Sequence, residues 1–125
     1  MRRIPVGDDR NGPALIVSTR PLGVTVMDFR ISVLLSLQRA LWDLVTPNLR
    51  GVAVRVEYPE VGVRFLFDTE PSKDDRECVS EAETLVIADF LDDVIVATHA
   101  ECVPPATARE LKLGEDWVYL RKEST

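Results

Sequence analysis

The spacing of apolar positions changes several times along this chain, and each change marks an element. Leu34, Leu37, Leu41 and Leu44 recur every three or four residues, which lines one side of a helix, and Ile31, Leu35 and Val45 widen that side. Asp28 is placed to cap the start of this helix, because its carboxylate can accept hydrogen bonds from the free amides of a first turn. Pro47 predicts its end near Val45 or Thr46, since the residue before proline avoids helical geometry.

From Val52 the period drops to two. Val52, Val54, Val56 and Tyr58 alternate with Ala53, Arg55 and Glu57, and after Pro59, Glu60 and Gly62 the alternation returns with Val63, Phe65 and Phe67. The short gap predicts an antiparallel hairpin, because parallel strands need a connection of a dozen or more residues. Pro71 and Ser72 then signal a second helix from Lys73 or Asp74 to about Phe90, with Val79, Ala82, Val86 and Phe90 on one stripe. The β-branched run Val94 to Thr98 predicts a strand, Pro104 and Pro105 a loop, and Trp117 to Leu120 a last strand. The order α-β-β-α-β-β predicts an α+β, two-layer domain: two helices packed on one face of a four-stranded, mainly antiparallel sheet. Strand order does not follow from the pattern.

Residues Met1 to Val26 break this regularity. Pro5, Gly7, Asn11, Gly12, Pro13, Pro21 and Gly23 predict an irregular or flexible segment, leaving 27–125 as a single domain and Met27 as a candidate natural start. The early apolar stretch, Ala14 to Val17, is too short for a signal-peptide core of roughly 7 residues or more. No run approaches the roughly 20 apolar residues of a membrane span. A cytoplasmic protein without membrane contact is the expectation.

Composition adds that the 125 residues, 46% apolar and 29% charged, suit one globular domain able to bury a core without a staple. The two cysteines, Cys78 and Cys102, read as small core residues, and a single histidine, His99, leaves a metal site short of ligands. No metal and no cofactor is expected. No phosphate-cradling, zincin or nucleophile-elbow string is present either. A net charge of -6 disfavours direct nucleic-acid binding, which depends on neutralising phosphates with cations.

The charge is also unevenly placed. Asp68 to Asp93 holds ten acidic and two basic residues, a net -8, which predicts either a solvated helix face or a docking face for a basic partner. The residues expected to meet that partner are Glu70, Asp74, Asp75, Glu77, Glu81 and Glu83. Trp42 and Trp117 read as flanking the core, with an interface as the second option because Trp is enriched at binding hot spots.

The strings LQRALWDLVTPNLRGVAV (Leu37 to Val54), VRFLFDTEPSKDDRECVSEAETLVIADF (Val63 to Phe90) and WVYLRKE (Trp117 to Glu123) resemble immunity proteins of bacterial contact-dependent growth inhibition systems. The likeness lies in sequence texture and element order over Asp28 to Glu123. It implies a cytosolic antidote, with no catalytic residues and no reaction of its own. Such an antidote binds and neutralises the toxic C-terminal domain of a delivered effector, often a nuclease. Contact residues differ between cognate pairs of this kind, so the likeness transfers no binding position. When free, the protein is expected to be a monomer or weak homodimer. The competing reading is a small enzyme or ligand-binding domain with a pocket near His99 and the cysteines.

Overall fold

A computed structural model describes residues 25–123; the irregular segment expected at 1–26 lies outside the described residues except for its last two positions, which begin a helix. The elements are α1 (Thr25–Ala40), β1 (Leu49–Glu57), β2 (Glu60–Phe67), α2 (Lys73–Ala88), β3 (Ile95–Cys102) and β4 (Glu115–Leu120), in the expected order. From Ser32 onward the chain forms one compact unit, described below; of what precedes it the structure describes Thr25–Ile31, the opening turns of α1.

The four strands form one mixed sheet in the order β3-β2-β1-β4. β1 pairs antiparallel with β2 from Leu49↔Phe67 to Glu57↔Glu60, closing through Tyr58–Pro59, a cis peptide. β1 also pairs antiparallel with β4, while β2 and β3 run parallel. Parallel neighbours need a crossover, and α2 supplies it.

One sheet face carries Leu49, Val52, Val54, Val61, Val63, Phe65 and Phe67, all buried. The helices cover it with Val33, Leu37, Ala40 and Leu41 from α1 and Val79, Ala82 and Val86 from α2. Each of the valine, leucine and phenylalanine side chains contributes about 1.5–3 kcal/mol by leaving water, the alanines less. Ser36 donates to Asp89 at 2.6 Å and Arg39 reaches the same carboxylate at 3.0 Å, which ties α1 to the end of α2.

α1 departs from its expected limits at both ends. It begins at Thr25, so Asp28 lies within its first turn, where its charge suits the helix dipole, and it ends at Ala40, five residues before Val45. Asp43 adopts a left-handed φ of 66°, which turns the chain before Pro47 acts. The buried face is rotated as well. Val33, Ser36 and Ala40 join Leu37 and Leu41 inside, whereas Ile31, Leu35, Val45 and Trp42 are exposed. Trp42, 72% exposed, does not flank the core.

The second sheet face departs furthest from simple alternation, because Ala53, Arg64 and Leu66 are buried there too. β3 and β4 are opposite edges of the sheet, so residues 103–114 must cross β2 and β1, roughly 14 Å, to connect them. They cross over the face away from the helices. Two arginines rising from the inner strands fasten this strap. Arg50 Nη1 donates to the carbonyls of Val103, Pro104 and Thr107 at 2.8, 2.9 and 2.9 Å. Arg64 Nη2 donates to the carbonyl of Glu110 at 2.9 Å.

Candidate functional site

α2 is built to hold its register. Ser72 caps it by accepting from the Asp75 amide at 3.0 Å, while the Asp75 carboxylate accepts from the Ser72 amide at 3.0 Å and from Asn48 at 3.2 Å. Burial alone would raise the Asp75 pKa, yet the hydrogen bonds from Ser72 and Asn48 bring it below the usual carboxylate value. Asp75 is therefore an inward capping residue, not part of an exposed acidic face. The capping box was written in the sequence as Ser72 followed by an acid three residues on.

The remaining acids of the segment divide into two groups, with Asp92, exposed in the turn after α2, joining the unpartnered one. Glu70 pairs with Arg76 at 3.0 Å on the surface, Glu83 is half-buried and accepts from the Thr98 hydroxyl, and Asp93 accepts from the Tyr58 hydroxyl. Asp68 pairs with Arg121 at 2.8 Å and Asp89 with Arg39 at 3.0 Å. Asp74, Glu77 and Glu81 are exposed and have no partner among the described residues. Their spacing of three and four residues places them on one outward stripe of α2, about 10 Å long. The unpaired negative surface is thus narrower than the sequence count implies, and it is aligned.

On the flank of α2 that faces β3, away from this stripe, the two elements bound an open groove of about 210 Å³ lined by Arg76, Val79, Ser80, Glu83, Thr98 and Ala100. The Thr98 to Glu83 hydrogen bond spans it.

Among the described residues, His99 and the cysteines do not converge on one site. His99 registers with Arg64 and projects on the strap side of the sheet, its side chain 69% exposed, whereas Cys102 registers with Phe67 on the helix side. Cys78 is on α2 and half-buried; Cys102 is exposed, so neither thiol is a core residue. Burial, reinforced by Asp74, Glu81, Asp75 and Glu77, raises the pKa of Cys78, which disfavours a nucleophilic thiolate. Among the described residues no group of three His, Cys, Asp or Glu side chains is arranged to hold a metal. No helix among them is long and apolar enough to cross a membrane.

The strap side is rich in ions of a different kind. Arg64 binds Glu115 through two bonds of 2.7 and 3.0 Å and Glu101 at 3.2 Å; these contacts hold Glu115 below the ordinary glutamate pKa against the effect of burial. Arg50 forms a two-pronged pair with Glu123 at 2.8 and 3.0 Å, and Arg121 adds a third bond at 3.0 Å. Hydrogen bonding from Arg50 overcomes burial and, with Arg121, lowers the Glu123 pKa to about 2. Every one of these arginines has its donors directed at carboxylates or carbonyls of the chain itself, so this cluster is scaffolding. Sequence reasoning gave it no role, because Arg64 occupies a position that alternation assigns to water. Trp117 belongs to this side and lies against Gly51, where a Cβ would stand 3.0 Å from the indole Cζ3.

The family model of the MafI2 immunity protein matches residues 30–123, nearly the whole of the described structure. No curated protein matches the chain.

Proposed function

This chain belongs to the MafI2 immunity protein family, and from that premise we propose that it neutralises its cognate toxin domain through the outer surface of α2. Immunity proteins of this family act on a toxin, so a toxin is the partner. The finer reading is that the toxin is a nuclease with a cationic substrate cleft, delivered by contact between cells as in the contact-dependent growth inhibition systems. MafI2 belongs to a related but distinct system. The observation that carries the reading is the row Asp74, Glu77 and Glu81, exposed on one stripe and without counter-charges among the described residues. Glu70 before the helix, and Glu83 in the groove on the other flank of α2, add carboxylates outside the row when their internal contacts exchange for the partner's cations. Asp75 supports this surface from below by fixing the helix start.

A nuclease cleft carries Lys and Arg to hold phosphates. A row of carboxylates steers toward such a cleft and competes with its substrate, while apolar contacts supply most of the affinity. No reaction by the immunity protein is required. The test is a variant with Asp74→Lys, Glu77→Lys and Glu81→Lys, which leaves the cap untouched. Its association rate with the purified toxin domain is expected to fall at least about tenfold at low salt, and the difference to close as salt rises. Equal association rates at low salt reject the acidic row. Failure of the unmodified protein to relieve toxicity on co-expression rejects the pairing with a toxin altogether.

A further inference from the structure

The two edges of the sheet are protected differently. β4 has only six residues, and its pairing with β1 is broken by a register shift between Val52 and Ala53 that leaves Val118 extra. Short length and a bulge are ways in which an edge avoids further pairing. β3 has neither feature. Its eight residues, IVATHAEC, pair with β2 in unbroken register from Glu60↔Ile95 to Phe67↔Cys102, with no proline, glycine, lysine or arginine.

The hydrogen-bond phase of β3 is fixed at both ends, because Ile95 donates to the Pro59 carbonyl at 2.8 Å and Val103 to the Phe67 carbonyl at 2.7 Å. In a parallel ladder alternate residues face the neighbour. Ile95, Ala97, His99 and Glu101 therefore address β2, and the N–H and C=O groups of Val96, Thr98, Ala100 and Cys102 point outward. Among the described residues nothing pairs with them. The side chains of the same four residues lie on the α2 side, where Thr98 and Ala100 line the groove with Val79, Ser80, Glu83 and Arg76, the last neutralised by Glu70 at 3.0 Å.

Resting on the immunity reading above, we infer that β3 is a strand-acceptor edge, taking an extended basic segment of the toxin domain as a fifth strand. Its backbone pairs with the outward groups of Val96, Thr98, Ala100 and Cys102. Side chains on one side of that strand enter the groove, where Ser80 and Ala100 are small and Glu83 offers a carboxylate to Lys or Arg. Strand addition of this kind draws affinity from main-chain bonds and selectivity from alternate side chains. Charge selects the occupant. Pairing β3 with β3 of a second copy would bring together two chains of net charge -6 with a Glu83 carboxylate in each groove, whereas a basic strand is drawn to that edge.

The test is amide hydrogen exchange of the full chain, free and bound to its purified, catalytically inactivated toxin domain, together with binding of an Ala100→Pro variant. The proline removes an amide that points away from β2, so the β2–β3 ladder keeps its bonds. Protection of Val96, Thr98, Ala100 and Cys102 amides only in the complex, with at least about tenfold weaker binding by Ala100→Pro at unchanged melting temperature, is expected. Val96→Pro provides the same reading should Ala100→Pro fail to fold. Binding that depends on Asp74, Glu77 and Glu81 while the four amides stay unprotected overturns the strand addition and leaves the acidic row standing. Protection already present in the free monomer, or in a free dimer seen by light scattering, overturns the choice of occupant. No binding to the toxin domain overturns the immunity reading on which both depend.

Discussion

Arg50→Met replaces one buried cation by an apolar side chain of similar length, and its cost is set by the acceptors left behind. The Arg50 side chain is 3% exposed, and three carbonyls of the strap accept from a single nitrogen. Leaving each unmatched costs about 1 kcal/mol, which gives about 3 kcal/mol for the three. Glu123 also loses its two-pronged partner, so about 3 kcal/mol is a lower limit, although Arg121 at 3.0 Å and Arg109 at 3.5 Å keep part of its compensation. Urea unfolding at pH 7 measures the loss. With a slope of about 1.5 kcal/mol/M, the midpoint falls by at least about 2 M at unchanged slope. A fall below about 0.5 M would show that the strap carbonyls find water as readily as Arg50, and the fastening role would be refuted. A lower slope would mean instead that the strap has detached in the native state.

Glu123→Gln tests the acid limb. The folded pKa of Glu123 is about 2 against an ordinary 4.5, so its contribution is complete above about pH 4.5 and lost as pH falls toward 2; the gap between wild type and variant, up to about 3 kcal/mol at pH 7, closes across that window in a pH series of urea melts. Asp75→Ala removes the acceptor for Ser72 and Asn48 and lowers stability by about 1–2 kcal/mol, whereas Asp74→Ala on the same turn stays within about 0.5 kcal/mol by the same assay. Gly51→Ala forces Trp117 and the strand carbonyl of Tyr119 at 3.3 Å to shift, costing about 1–3 kcal/mol and changing the tryptophan emission. Thiol titration separates the cysteines: exposed Cys102 reacts before Cys78, whose pKa is raised, and the reverse order would contradict the described burial.

Much of the frame was legible because it rests on local rules. Two-residue alternation on either side of Pro59 announced the hairpin, and Ser72 announced the start of α2. Whatever depends on strand order was not. Alternation reports one buried face, so Arg64 and Leu66 looked wet until β3 and β4 were found at opposite edges with a strap between them. A count of acids equally cannot separate Asp75, which turns inward to cap, from Asp74 beside it, which turns out. The apolar run of α1 overshot because Asp43 reverses the chain before Pro47 does, a choice of backbone conformation that periodicity does not encode. The partner class was visible only through likeness, and the family match gives MafI2, a system related to but distinct from the contact-dependent growth inhibition that the likeness implied.

The arginine anchorage and the helix exterior occupy opposite sides of one thin layer. Charges at Asp74, Glu77 and Glu81 can consequently be rewritten one at a time without disturbing Arg50, Arg64 or Glu123. With the helix exterior as the proposed docking surface, a lineage pressed to follow a changing adversary retains a stable chassis while that exterior drifts.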